Sequence, residues 1–140
     1  MNSNQQLHSV FRPLEARVLH ALWQRNTPAA VRDLMPALPG IVYTTVMTTL
    51  DRLFKKGVLT REKWGRAFLY QPKLTHSQQI AKIAADRIGQ LLPAASERAE
   101  SLIVMRELVA TLADRDAALL DELEHLVAMR RAELKRKDAG

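Results

Sequence analysis

A single stretch of this sequence, residues 58–72, departs from the helical spacing of apolar residues that otherwise runs through the chain. It holds two short strand-like runs on either side of Gly65 and Arg66, a pattern that predicts two strands joined by a tight turn. From residue 75 onward the pattern is helical without any strand signal. The sequence therefore predicts a mainly α fold that contains one small β-hairpin.

Three predicted helices precede this hairpin, and proline or glycine residues separate them. They cover residues 13–25, a short segment at residues 31–35, and residues 43–56. The third has one apolar side that should pack on a core, formed by Val46, Leu50, Leu53 and Phe54. A helix, a short helix, a longer helix and a hairpin, in this order, are typical of a winged helix-turn-helix domain. In such a domain the third helix enters the major groove of DNA.

The net positive charge of the chain lies in its first half. The 140 residues include 21 Lys and Arg against 15 Asp and Glu, a net charge of +6. Residues 1–74 hold 11 basic and 4 acidic residues, whereas residues 75–140 hold 10 basic and 11 acidic ones. This asymmetry predicts a basic head at residues 1–74 that binds a polyanion, followed by a nearly neutral helical tail at residues 75–140.

The exposed side of the third helix carries short hydroxyl side chains and a forked cation. Threonine can hydrogen-bond a base edge or offer its methyl group to thymine, and arginine can bond guanine O6 and N7 together. We therefore predict that bases of double-stranded DNA are read by Thr44, Thr45, Met47, Thr48 and Arg52. Contacts to phosphates, which set the register on the duplex, are predicted for Tyr43, Lys55, Lys56, Arg61, Lys63 and Arg66.

The tail is predicted to form three amphipathic helices, the first ended by Pro93 and the last capped by Asp114. Their apolar stripes cannot all be covered within one thin layer of helices, so a second copy of the chain is the expected partner. Dimer contacts are predicted for Ile80, Ile83, Ile88, Leu119, Leu123 and Leu126.

Several classes of function lack the residues that they require. The chain has no Cys, and its four His are never four residues apart. Together with the lack of a Gly-rich phosphate loop, this predicts no metal site, no cofactor and no enzymatic activity. No apolar run approaches the ~18 residues of a membrane span, and the N-terminus lacks signal-peptide features. We therefore expect a cytoplasmic protein that does not insert into a membrane.

The two tryptophans are expected to pack inside the protein. Trp23 lies in the first predicted helix, and Trp64 ends the first predicted strand, beside the turn. Stacking of Trp64 on a DNA sugar is the alternative, but packing on the strands is the expected role.

Residues 43–59, YTTVMTTLDRLFKKGVL, closely resemble the recognition-helix segment of the penicillinase and methicillin-resistance repressors, the BlaI/MecI type. Residues 13–19 and 31–34 resemble the first two helices of that family, and residues 66–70 resemble its wing. The resemblance covers about residues 11–74. It implies a repressor that binds an inverted-repeat operator as a homodimer through its tail. It also implies a membrane sensor peptidase as the partner that ends repression by cleaving the tail.

The tail departs from the family pattern in two respects. The best-known members are cut at an Asn-Phe bond, whereas the last Asn here is Asn26 and the corresponding stretch is residues 104–107. A copper-responsive branch uses tail cysteines, which are absent from this chain.

Two alternatives share the same head: a winged-helix regulator that senses a small molecule, and a winged-helix adaptor that binds proteins. An adaptor should carry apolar or acidic anchors where this third helix carries Thr and Arg.

Overall fold

The computed structural model describes residues 3–92 and 97–140. Within these ranges the chain forms seven α-helices and one antiparallel pair of strands, with a 3-10 turn after the third helix. In chain order they are α1 (Ser3–Val10), α2 (Pro13–Arg25), α3 (Val31–Leu34), α4 (Tyr43–Lys55), β1 (Leu59–Trp64), β2 (Ala67–Pro72), α5 (His76–Leu91), α6 (Arg98–Arg115) and α7 (Ala118–Ala139). The predicted mainly α fold with a small β-wing is confirmed, as is the predicted order of helix, short helix, helix and hairpin.

The sequence pattern did not predict α1. Its eight residues are mostly polar, but Leu7 and, just after the helix, Phe11 are buried in the same core as α2. A polar helix of this length is not stable by itself in water. Tertiary contacts through these two apolar side chains therefore stabilise α1.

The core is built mainly by α2 and α4. As predicted, α4 turns Val46, Leu50 and Leu53 inward, and all three are fully buried. Burial of one such side chain stabilises the fold by about 1.5–3 kcal/mol. Phe54 is only half-buried at the edge of this core. The other large apolar side chains buried in the core are Leu7, Phe11, Val18, Leu19, Leu22, Val31, Leu34, Leu38, Leu59, Tyr70 and Ile83.

The hairpin of β1 and β2, here called the wing, is anchored at its base. Trp64 pairs with Ala67 at the other end, so the two residues between them form the turn. Gly65 in this turn has a φ of +64°, a left-handed value that favours glycine. At the base, the N–H of Ala29 donates to the carbonyl of Tyr70 at 2.9 Å, and the N–H of Tyr70 donates back at 2.8 Å. The wing is thereby tied to the loop before α3, and its turn is the free tip.

Backbone contacts divide the chain into two compact units, Met1–Gly89 and Gln90–Gly140. This division lies well after the boundary predicted between residues 74 and 75, because the first half of α5 packs on the core of the first unit. Ile83 is buried there, and Ile80 packs against it. The functional boundary between head and tail stays a prediction.

Three rings also join α2 to the start of α5. The indole N–H of Trp23 donates to the carbonyl of Leu74 at 3.0 Å, and its ring packs against the core as expected. The His76 ring lies 5.0 Å from the Trp23 ring and 5.7 Å from the His20 ring, measured between centroids. These contacts place the first turn of α5 against α2.

In the second unit α6 and α7 pack on each other, and neither helix has a fully buried side chain. Asp116 caps α7 by accepting the N–H of Ala118 at 3.0 Å. The cap predicted at Asp114 is wrong because α6 continues through that residue to its end at Arg115. The predicted stop at Pro93 lies outside the described residues. Among the helices described, none is both long and apolar enough to cross a membrane.

Candidate nucleic-acid interface

The outward side of α4 presents the residues predicted to read bases. Thr44, Thr45, Met47 and Thr48 are exposed, and Arg52 is half-buried. The hydroxyl of Thr48 donates to the carbonyl of Thr44 at 2.9 Å. Because its proton is used inside the helix, the Thr48 oxygen is left as an acceptor. It can therefore accept from an exocyclic amino group of adenine or cytosine.

A shallow groove of about 270 Å³ runs along one side of α4. Its polar lining includes Arg12, Thr45, Thr48 and Arg52. Arg12 immediately precedes α2 and was not among the predicted DNA contacts. It brings a second cation to the face on which Arg52 lies, which favours an anionic ligand in this groove.

A second groove, of about 350 Å³, lies on the other side of α4 between α3 and the wing. It is lined by Arg32, Tyr43, Met47, Arg66 and Phe68, among others. The structure thus brings Tyr43, Met47 and Arg66 together as one surface. Arg32 was also missed. The sequence shows a cation in a short helix, but only the packing of α3 against α4 shows that this cation faces the groove.

Lys56, predicted to bind phosphate, has a side chain that is 41% exposed, and its ammonium group is paired within the fold. Its ammonium group lies 2.9 Å from both carboxylate oxygens of Glu15, whose side chain is 1% exposed. Burial alone would raise the pKa of Glu15. The N–H of Arg12 and the Lys56 cation outweigh burial and hold that pKa below its ordinary value. Lys56 therefore links the end of α4 to the start of α2. A phosphate contact by Lys56 stays a prediction.

Arg61 is likewise engaged within the fold. Its guanidinium carbon lies 4.0 Å from the ring centre of Phe54 and 4.2 Å from that of Phe68. Its Nη1 donates to Asp51 Oδ1 at 3.1 Å. A guanidinium between two phenyl rings and beside a carboxylate connects α4 to both strands of the wing. A phosphate contact by Arg61 stays a prediction.

Lys55 lies at the surface of α4. Its ammonium group is 3.0 Å from Asp51 Oδ2, and the lysine side chain is 74% exposed. This hydrogen bond, with a further one from Arg61, lowers the pKa of Asp51. An exposed ion pair of this kind contributes little to stability. Lys55 is therefore free to exchange this partner for a phosphate.

The tip of the wing is open to solvent. Lys63, Trp64 and Arg66 are all exposed. The expectation that Trp64 packs on the strands is wrong, because its side chain is 72% exposed. The physical reason is its cross-strand partner, Ala67, whose methyl group is too small to cover an indole.

The predicted dimer residues fall into two groups. Ile83 is buried in the core of the first unit, so the prediction that it contacts a second copy is corrected. Ile80 is half-buried against the same core, and its contact with a second copy stays a prediction. Ile88 is 41% exposed. In the second unit, Leu119 and Leu126 are exposed and Leu123 is half-buried. An amphipathic pattern identifies the apolar side of a helix but not the surface that covers it.

No group of three or more His, Cys, Asp or Glu residues within residues 3–92 and 97–140 could hold a metal ion.

Known proteins resemble this chain over most of its length. Residues 12–131 match the penicillinase repressor family. Transcriptional regulator BlaI of Mycobacterium tuberculosis is 33% identical over 114 residues, which cover 79% of this chain and 83% of that protein. Its sequence resembles this one in the tail as well as in the head.

Two solved structures resemble parts of the same fold. Transcriptional regulator Tm0710 from Thermotoga maritima is 18% identical with a TM-score of 0.48, covering 94% of this chain and 85% of that one. Reduced AbfR bound to DNA is 23% identical with a TM-score of 0.47, covering 80% of this chain and 79% of that one. The relatives of this chain are transcriptional regulators, not enzymes. The family match and the 33% identity to the mycobacterial regulator show that the chain belongs to the penicillinase repressor family.

Proposed function

We propose that this regulator is a repressor that binds double-stranded DNA sequence-specifically, with α4 in the major groove. The observation that carries the proposal is the pair of arginine-lined grooves that flank the outward side of α4. The acids in these grooves already have partners: Glu15 binds Lys56 and the Arg12 N–H, and Asp33 accepts the N–H of Ala30 at 2.9 Å. Lys56 balances the charge of Glu15 in the first groove, and two arginines outnumber Asp33 in the second. Both grooves therefore carry a net positive charge, which favours phosphates on both sides of the helix.

Within this proposal the side chains divide by what they reach. Bases are read by Thr44, Thr45, Met47, Thr48 and Arg52, which are on the outward side of α4. Phosphates are bound by Tyr43, Lys55, Lys63 and Arg66, to which we add Arg12 and Arg32. Lys56 and Arg61 hold α4 and the wing in place, because both have partners inside the protein.

The proposed operator is an inverted repeat bound by a homodimer. Support comes from the second unit, where apolar side chains on α6 and α7 remain exposed in one copy of the chain. They include Leu102, Ile103, Val109, Leu119, Leu126 and Val127. A second copy would cover such a surface. Two linked heads bind adjacent half-sites with an avidity roughly 10²–10⁴ times that of one head.

Family membership supports a further partner, a membrane sensor peptidase that ends repression by cleaving the tail. The stretch that corresponds to the cut in better-known members, residues 104–107, lies in the middle of α6. Met105 within it is exposed, but a peptidase needs an extended substrate, so α6 would have to unwind locally before cleavage. A DNA target supports the expectation that the protein works in the cytoplasm.

Selection of bound duplexes from a random pool, with the full chain, tests the proposed function. We expect the recovered duplexes to share an inverted repeat whose half-sites are about 10 base pairs apart, or a multiple of that spacing. Recovery of no shared sequence would contradict sequence-specific binding. Failure to bind any duplex at low salt would contradict DNA binding itself and favour a protein adaptor.

A further inference from the structure

Trp64 ends β1 as an exposed aromatic residue, whereas the two aromatic residues of β2 have partners within the fold. Phe68 and Tyr70 contact each other at a ring distance of 6.3 Å, and Arg61 stacks on Phe68. These contacts lie on the side of the wing that faces α4. Strand alternation puts Trp64 on the opposite side, where 72% of its surface is exposed.

The position of Trp64 is set by the turn that follows it. Gly65, with its φ of +64°, lets the chain reverse within two residues, so Trp64 stands at the tip of the wing and not along its flank. Lys63 and Arg66 flank it. Strand alternation places Glu62 on the same side of the wing as Trp64, but residues 61–66 hold three basic residues against this one acid. The surroundings of this indole therefore favour a polyanion over a neutral or acidic surface.

The tip also lies beside the groove that separates α4 from the wing. Arg66 and Phe68 line this groove together with Tyr43 and Met47 of α4. When α4 occupies the major groove of DNA, the sugar-phosphate backbone at the edge of that major groove has to pass along the protein surface between α4 and the wing. The tip of the wing then reaches across the backbone to the adjacent minor groove.

We propose that Trp64 enters the minor groove beside each half-site and discriminates A·T from G·C base pairs there. This inference rests on the proposed function and adds a base preference at a position that α4 does not touch. The minor groove is about 6 Å wide, and a flat indole ring can enter it edge-on between the two backbones. Lys63 and Arg66, on either side of Trp64, would bind the phosphates that border the groove.

The chemistry of the groove floor predicts the preference. At A·T pairs the floor presents only the acceptors adenine N3 and thymine O2, to which the indole N–H can donate. At G·C pairs the amino group on guanine C2 projects into the groove. It would obstruct the ring and place a donor against the indole N–H.

Inosine separates this preference from major-groove reading. An I·C pair presents the major-groove pattern of G·C but lacks the guanine C2 amino group in the minor groove. The probe is the inverted-repeat duplex selected by the full chain, with A·T, G·C or I·C pairs next to each half-site. We expect G·C to weaken binding about tenfold and I·C to restore it. If I·C binds as weakly as G·C, or if all three bind alike, the inference is overturned.

The same titrations with Trp64→Ala assign the effect to this side chain. The variant should bind the A·T probe about tenfold more weakly and should no longer distinguish the three probes. Gln71→Ala, at an exposed position near the base of the wing, is the matched control and should behave as wild type. Unchanged discrimination in Trp64→Ala overturns the inference and leaves the proposed function intact. Failure of the wild-type chain to bind any duplex overturns both.

Tryptophan fluorescence gives an independent measurement on the wild-type chain. Trp23 is the one other tryptophan, and it is half-buried with its N–H bonded to Leu74. The fluorescence of a Trp64→Phe variant therefore comes from Trp23 alone. The difference between the fluorescence of wild type and of this variant is the contribution of Trp64. We expect the A·T probe to protect Trp64 from acrylamide quenching at least twofold. No protection in a saturated complex contradicts the inference.

Discussion

The ammonium group of Lys56 lies 2.9 Å from both carboxylate oxygens of Glu15, a residue 41 positions earlier in the chain. Glu15 also accepts the N–H of Arg12, so the same carboxylate caps α2. This contact joins the start of α2 to the end of α4. The orientation of α4, whose residues are proposed to read bases, therefore depends on an ion pair at the C-terminus of that helix.

The first prediction concerns this pair. Lys56→Met should lower the free energy of unfolding by about 1–3 kcal/mol, because it leaves the Glu15 carboxylate buried with one partner fewer. Lys55→Met removes an exposed ion pair from the same helix and should change stability by less than about 0.5 kcal/mol. Urea denaturation of both variants checks the difference. Equal stability would show that Lys56 is a surface cation, free to bind phosphate.

The second prediction concerns pH. Burial, and to a lesser degree the nearby His76 and His8, holds the pKa of His20 below its ordinary value of 6.5. The unfolded chain therefore binds more protons at His20 than the folded chain does. Stability should be greatest above pH 6.5 and should fall as the pH drops through this value towards the pKa of the folded state.

Unfolding experiments from about pH 7.5 to about pH 5 check this sign. Over that range Glu15 stays ionised, because its own pKa is lowered from 4.5. His20→Gln should flatten the pH dependence, whereas His125→Gln, at an exposed position on α7, should not. The same slope in wild type and His20→Gln would rule out this account of the ring cluster.

The third prediction separates base reading from phosphate binding. Arg52→Ala should weaken binding to the selected duplex by about 1–3 kcal/mol and relax the preference at one base pair. Lys63→Ala should weaken binding to all duplexes alike and reduce the dependence on salt. Titrations of both variants at several salt concentrations measure the two effects. Indistinguishable behaviour would refute this division of roles.

The fourth prediction concerns the wing. Arg61→Lys keeps the charge but loses the planar group that lies between Phe54 and Phe68. It should weaken duplex binding about threefold to tenfold without changing the salt dependence, because no charge is lost. Arg66→Lys, at the exposed tip, is the control and should bind within about twofold of wild type. Normal binding by Arg61→Lys would show that Arg61 does not position the wing.

Local patterns predicted a large part of this fold. The apolar side of α4 followed from the spacing of Val46, Leu50 and Leu53, because a helix brings those positions together. A local pattern also begins α5: Gln78 Oε1 accepts the N–H of Thr75, and the hydroxyl of Thr75 accepts the N–H of Gln78, which together form a capping box. Each of these features depends on residues close together in the sequence.

The features that were missed depend on contacts between distant residues. No local pattern pairs Lys56 with Glu15. The spacing of Ile83 predicted an apolar helix side, but it did not show that the core of the first unit covers that side. Arg12 and Arg32 precede α4 in sequence, and only tertiary packing brings them to its flanks. The charge pattern therefore predicted a basic head, but it did not show that Arg12 and Arg32 line the grooves beside α4.

Sequence-specific recognition by α4 is tested most directly by one comparison of affinities. The full chain is titrated with the selected inverted-repeat duplex and with a scrambled duplex of the same length and base composition, at one salt concentration. Sequence-specific recognition predicts at least about 10³-fold tighter binding to the inverted repeat. Equal affinity for the two duplexes would contradict it.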